Sequence, residues 1–232
     1  MSPPLNALSA DSDALSAEST EPRIPAAPER IMRPTAVHDL RGDPVDELRY
    51  PATAALVVAG VPGAGKSTAL SKFFGARPED ENPSAANGAL VLDSHQARNR
   101  WRHRLGRLPY PLWRPVVHVV HYAAVKTALR DTRGPVVIHD CATFGWVRTM
   151  IGRWAAGCGR EVHLVMLDVP ATDAMAGQRA RGRRVNGVSF RLHVRRWRRL
   201  MGSPARLGPT PVSVVLVDRP AVNAIRRITF AG

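Results

Sequence analysis

Gly60-Val61-Pro62-Gly63-Ala64-Gly65-Lys66-Ser67-Thr68 fills every fixed position of the G-x-x-x-x-G-K-[ST] phosphate-binding loop. The loop has the neighbours it needs. The apolar run Ala54 to Ala59 (AALVVA) reads as a buried strand before it, and Ser67 to Phe74 (STALSKFF) as the opening of a helix after it. Glycines in such a loop let backbone N–H groups turn inward around a triphosphate, and the positive end of the following helix adds to the attraction. Lys66 is placed to hold the β and γ phosphates and Ser67 to offer its hydroxyl to Mg²⁺, a metal that prefers hard oxygen ligands. Gly60, Gly63, Ala64, Gly65, Lys66, Ser67 and Thr68 are therefore the nucleotide-binding candidates. Lysine is scarce here: Lys66, Lys72 and Lys126 stand in a set of cations dominated by arginine, so a lysine at the position that wants a compact point charge is informative.

Four more strand-sized apolar runs follow: Ala89 to Leu92, Pro135 to Ile138, Val162 to Leu167 and Val212 to Val217. Near-continuous apolar strands separated by helical patterns read as parallel strands covered on both faces. Val116 to Leu129 is one such helix. Phe144, Val147, Ile151 and Trp154, spaced by three and four, mark another. The expected fold is α/β, a three-layer α/β/α sandwich on a five-stranded parallel sheet.

At 232 residues the chain fits one domain plus a tail. Residues 1 to about 48 are rich in Ser, Ala, Pro and acidic groups without apolar periodicity, and are expected to form a disordered arm ahead of a domain spanning 49–232. The net charge is +14, and residues 1 to 50 carry −4, which leaves +18 on the remainder. Such a balance admits nucleic acid as a partner, although arginines serving ATP, a phosphorylated substrate and solubility, within a composition bias spread over the whole chain, are the weightier account. Cys141 and Cys158 supply no disulfide framework and no metal quartet, and no apolar run approaches the roughly 20 residues of a membrane helix. The expectation is a soluble cytoplasmic protein with no membrane partner.

The apolar runs end at aspartates: Asp93, Asp140, Asp168 and Asp218. Strand carboxyl ends face the ligand crevice of an open parallel sheet. Asp168 and Asp218 precede turn-like sequences and read as caps or turn formers. Asp93 and Asp140 are the candidates for accepting a proton from an acceptor hydroxyl or holding a metal-bound water. Asp140 is followed by Cys141 rather than the glutamate of hydrolytic motors, and none of the lysines lies in a guanine-reading N-K-x-D stretch. Between the fourth and fifth strands, Gln178 to Arg184 (QRARGRR) reads as a lid over about 177–187, with Arg181 placed to neutralise a transferring phosphoryl group. Trp101 to Trp113 interleaves basic and aromatic residues and reads either as a stacking surface for bases or sugars or as an ordinary packed helix and loop.

Together these residues resemble the small P-loop kinases of the AAA_33 and zeta-toxin type, relatives of the 5′-polynucleotide kinase domain. The resemblance runs from about Ala54 to Leu200. It rests on the phosphate loop, Leu92-Asp93-Ser94-His95-Gln96-Ala97-Arg98, the strand ending at Asp140 with Arg148 eight residues on, and Leu167-Asp168-Val169-Pro170 leading to Arg181-Gly182-Arg183. It implies a kinase-like strand order and ATP- and Mg²⁺-dependent phosphoryl transfer to a hydroxyl, with Arg98 contacting the acceptor. Such proteins carry the base aspartate three residues before the arginine matching Arg98; this chain has His95 there, so Asp93, two residues earlier, takes the role by a small loop shift, or His95 itself acts as the base. Cys141-Ala142 replaces a polar pair, and one lid arginine position falls on Gly177. The expected catalytic set is Asp93, Lys66, Arg181 and Arg98, with Ser67 and Asp140 for the metal. A small-molecule or nucleic-acid acceptor, a nucleotide switch without catalysis, and a basic nucleic-acid-binding or end-processing protein remain open.

Overall fold

The computed structural model describes residues 29–77, 79–86, 88–180, 187–207 and 211–231. The five expected strands form as β4 (Ala55–Gly60), β6 (Ala89–Leu92), β7 (Val136–His139), β8 (Val162–Leu167) and β9 (Pro211–Val217). All five run parallel in the order β9-β8-β4-β7-β6, so the strand carrying the phosphate loop is central, as the kinase-like order requires. Every residue of β4 and β8 is buried, which explains why both read as unbroken apolar runs.

The sheet has seven strands rather than five. β5 (Ser84–Ala86) pairs antiparallel with β6, and β2 (Val37–Asp39) pairs parallel with β9. Both are three-residue edge strands of small or half-exposed residues and carry little apolar signal. The boundary of the arm also needs correction. Residues 29–48, expected to be disordered, contribute β2, β1 (Ile31–Met32) and the start of β3 (Glu47–Pro51). β1, β3 and β10 (Arg227–Ala231) form a second, parallel three-stranded sheet. Its Tyr50 meets His163 near the start of β8 at 5.1 Å, and its Phe230 stacks on Phe74 at 6.1 Å. The small sheet thus closes the end of the main sheet opposite the phosphate loop. Buried Glu47 ties it together, accepting bonds from Arg227, Arg49 and Thr229. The expected arm residues 1–28 lie outside the described residues.

Helices cover the main sheet. α1 (Lys66–Phe74) follows the phosphate loop, α2 (Ser94–Leu105) and α3 (Tyr110–Asp131) follow β6, and α4 (Gly145–Ala156) follows β7. α5 (Ala171–Arg179) follows β8, α6 (Gly187–Met201) precedes β9, and α7 (Arg219–Ala224) follows it. The Trp101 to Trp113 stretch is the α2–α3 hairpin, and Trp113 is buried with Ala97 and Val117 in a core of its own. No helix among the described residues is long and apolar enough to cross a membrane.

Candidate active site

The phosphate loop leaves β4 at Gly60 and enters α1 at Lys66. Gly63 and Gly65 hold φ angles of 90° and 105°. A Cβ on Gly63 would stand 2.1 Å from the Ala174 carbonyl oxygen, so α5 seats directly on the loop backbone. Gln178 strengthens that seat, donating from Nε2 to the Pro62 carbonyl at 2.6 Å. Gly177 belongs to the same contact: a Cβ there would meet the Gly63 oxygen at 3.0 Å, which gives a steric reason for glycine at this position. Gly65 precedes α1 without any side-chain cap, leaving the helix start open to an anion. Lys66 is buried, and its Nζ donates to the carbonyls of Gly60 (2.7 Å) and Val61 (3.2 Å). These fixed amides and one ammonium fit a polyphosphate.

A cavity of about 170 Å³ opens over the loop. Gly63, Gly65, Lys66 and Ser67 form one wall. Opposite stand His95 from α2, His118 and His121 from α3, and His139 and Asp140 at the end of β7. Strand order brings them together, because β7 lies between β4 and β6. A second cavity of about 360 Å³ lies on the far side of the loop, bounded by Thr68, Lys72, Val169, Asp218, Arg219 and Asn223.

Asp93 is buried at the N-cap of α2. Its carboxylate accepts from the His95 backbone N–H at 2.9 Å and from His139 Nδ1 at 2.6 Å, while Gln96 Oε1 accepts from the Asp93 N–H in a complete capping box. Burial opposes its charge, but the His139 and His95 rings and the backbone N–H overcome that and hold the carboxyl well below the usual range. Both bonds to the Asp93 carboxylate fall on Oδ1, and the other oxygen, Oδ2, lies 3.7 Å from His95 Nδ1, behind the cavity wall. Because a carboxylate only accepts, His139 carries its proton on Nδ1 and leaves Nε2 for the cavity.

Asp140 accepts from Tyr122 Oη at 2.6 Å and from the Ala142 N–H at 2.5 Å. Burial and Asp140 together push the Tyr122 hydroxyl far above its ordinary value, so it stays a donor. Arg148 folds under this turn, donating to the carbonyls of Ala142 (2.5 Å) and Arg206 (3.0 Å).

Other expectations fare differently. Arg98 does not line the cavity; its guanidinium lies over the Tyr110 ring at 4.5 Å. Arg181 lies outside the described residues, as do residues 181–186 of the expected lid. Asp218 caps α7 as expected, accepting from the Ala221 N–H at 2.8 Å. Asp168 caps nothing; it accepts from Trp197 Nε1 and Arg41, tying α6 and the chain beside β2 to the end of β8. Arg191, Arg195, Arg198 and Arg199 form an exposed basic face, and Arg196 lies over Phe144 at 4.3 Å. Sequence reasoning weighed His95 alone and missed the other three histidines of the wall. Their signal was there, since His118 and His121 share a helix face at a spacing of three and His139 sits beside a strand-end aspartate.

No curated protein matches the chain. Among solved structures it is similar to the tunicamycin resistance protein of Deinococcus radiodurans at 16% identity, over 74% of this chain and 89% of that one, with a TM-score of 0.46. It is similar to a structure from the PezAT chromosomal toxin-antitoxin system of Streptococcus pneumoniae at 13% identity, over 72% and 68%, with a TM-score of 0.49. A gluconokinase from Sinorhizobium meliloti 1021 matches at 19% identity, over 76% and 89%, with a TM-score of 0.44. Residues 56–207, from within β4 through the turn after α6, match the AAA domain model AAA_33, and the chain belongs to that family, as a small P-loop nucleotide-binding protein of kinase-like architecture.

Proposed function

We propose that the protein is a Mg²⁺- and ATP-dependent kinase that transfers the γ-phosphoryl group to a hydroxyl of an acceptor seated against α2 and α3. The observation that carries this reading is the continuity of one cavity from Gly63, Gly65, Lys66 and Ser67 to His139 and Asp140, which lets donor and acceptor meet. Lys66 exchanges its two carbonyl partners for β and γ phosphate oxygens. Ser67 and Asp140 hold the metal, directly or through water. Among the described residues no three His, Cys, Asp or Glu side chains are placed to cage an ion, which suits Mg²⁺ bound chiefly through nucleotide oxygens. When bound, Mg²⁺ supplies neutralisation of charge on the phosphate oxygens. The acceptor oxygen attacks the γ phosphorus, the bond to the β–γ bridging oxygen breaks, and ADP leaves. The hydroxyl proton passes to His139 Nε2, with Asp93 holding the ring and balancing its charge. Arg181 neutralises charge on the transferring phosphoryl group, and Arg98 reaches the acceptor by leaving Tyr110. The second cavity takes the nucleoside end.

Calorimetric titration with Mg²⁺·ATP, alongside ADP release, tests the proposal. Wild type binds and turns over, while Lys66→Ala loses affinity by about 100-fold or more. Tight binding by Lys66→Ala sinks the assignment of the loop. Binding without turnover, on water or any acceptor, favours a nucleotide switch, the reading that His95 in place of the relatives' aspartate supports.

A further inference from the structure

Among the described residues Ala142 alone, glycines apart, holds a positive φ, 52°. Left-handed backbone is unfavourable for a residue with a Cβ, and residues held there cluster at active and ligand-binding sites, where the surroundings over-determine them. Here each backbone group of Ala142 has its own partner. Its N–H donates to Asp140 Oδ1 at 2.5 Å, closing the turn that follows β7, and its carbonyl accepts from Arg148 Nη1 at 2.5 Å. The other Asp140 oxygen accepts from Tyr122 Oη at 2.6 Å, so each carboxylate oxygen has one donor and keeps a lone pair for a metal or its water. Arg148 reaches further. Its Nη2 donates to the Arg206 carbonyl at 3.0 Å, so one planar guanidinium spans the turn after β7 and the turn after α6. One residue along, the Thr143 hydroxyl and His193 Nδ1 of α6 lie 2.8 Å apart. Arg148 is not among the residues lining the main cavity; with Ala142 and Asp140 it borders a small hollow on the α4 side of the sheet. Its effect on the nucleotide end therefore passes through Ala142.

We infer that Arg148 is the positioning residue of the Asp140 carboxylate: by holding the Ala142 carbonyl it keeps the Ala142 N–H on Oδ1, and so fixes how that carboxylate is presented to the main cavity. The inference rests on the kinase reading, in which Asp140 holds the metal, and adds the group that orients this ligand. Removing such an outer partner of a metal-ligating carboxylate typically costs about 10–100-fold in metal affinity. Lysine is a partial substitute, because its ammonium is a point charge on a flexible stem, whereas the guanidinium fork holds both carbonyls at a fixed separation.

Calorimetric titration with ATP, once in excess Mg²⁺ and once in EDTA, gives two affinities whose ratio is the contribution of the metal. Arg148→Met keeps an apolar stem and removes both donors; the ratio is expected to fall by about tenfold or more, while the affinity in EDTA stays within about threefold. Ala142→Gly, added to Arg148→Met, recovers part of the ratio, since glycine adopts a positive φ without being held there. An unchanged ratio in Arg148→Met overturns the inference even if the variant melts earlier, because Arg148 then has a purely structural role. An equal fall in both affinities overturns it as well, and so does failure of Ala142→Gly to recover any of the loss. Where Arg148→Met does not fold, Arg148→Lys carries the test, with a fall of about threefold expected and no change overturning the inference. Asp140→Asn is the reference. A wild-type ratio in that variant removes Asp140 as the metal ligand of the kinase reading, whereas a lowered ratio there beside an unchanged one in Arg148→Met overturns the inference alone.

Discussion

His139 Nδ1 donates to the Asp93 carboxylate at 2.6 Å, joining the end of β7 to the start of α2 through a bond buried behind the cavity wall. The same carboxylate caps α2, so one side chain both starts the helix and fixes the ring that faces the nucleotide loop. Asp93→Asn separates these duties. Asparagine is a good N-cap, so α2 survives. The charge-assisted bond is lost, and stability falls by about 1–3 kcal/mol in urea unfolding. Mg²⁺·ATP affinity stays within about threefold, while acceptor-dependent transfer falls by about 100-fold or more. Unchanged transfer would remove the Asp93–His139 pair from the mechanism.

Two loop glycines make contrasting predictions. At Gly63 a Cβ meets the Ala174 carbonyl oxygen at 2.1 Å, whereas at Gly65 nothing lies within 4 Å. Both have positive φ, so alanine at either costs about 1–2 kcal/mol of backbone strain. Gly63→Ala must also push α5 off the loop. It should destabilise the fold more than Gly65→Ala and weaken Mg²⁺·ATP binding at least tenfold. Equal denaturation midpoints for the two variants would mean that α5 is not seated on the loop in solution.

What was legible in the chain follows what is local or fully buried. The phosphate loop is read from nine consecutive residues, and β4 and β8 announce themselves because both faces are covered. β2 and β5 are short edges whose pairing is decided by a neighbour distant in sequence, so no period reveals them. Asp93 was found, but its partner His139 lies 46 residues away and only sheet order brings the two together. His121 was silent for the same reason: nothing in its local sequence shows that the end of β7 faces it across a cavity.

Glu47 joins the N-terminal strands to the C-terminal one. It is fully buried at the start of β3 and accepts from Arg49 at 2.7 Å, Thr229 at 2.7 Å and Arg227 at 2.5 Å. Burial opposes its charge, yet these donors bring the carboxyl down to about 2. Glu47→Ala removes the shared acceptor of three donors, although Arg227 keeps Glu29 at 2.6 Å, and should cost about 1–3 kcal/mol. Removing residues 1–28 should leave the denaturation midpoint unchanged, while removing residues 1–48 deletes Glu47, β1 and β2 and should prevent cooperative unfolding. A stable protein lacking residues 1–48 would show that the small sheet is dispensable.

Acid should unfold the protein in two stages with distinct origins. Burial pushes His121 down to about 4, and it pushes His193 down to about 4 as well, with Arg114 and Lys66 adding to the effect. In the unfolded chain a histidine titrates near 6.5, so between about 6.5 and 4 the unfolded state binds more protons than the folded one. Stability therefore falls as pH drops through that window. Below it, Asp93 and Glu47, whose carboxyls are depressed in the fold, lose their contribution as they protonate. Urea midpoints at pH 7.5, 5 and 3.5 should show both stages. His121→Leu should flatten the first stage and leave the second, whereas Glu47→Gln should flatten the second and leave the first; identical profiles would place the acid sensitivity elsewhere in the fold.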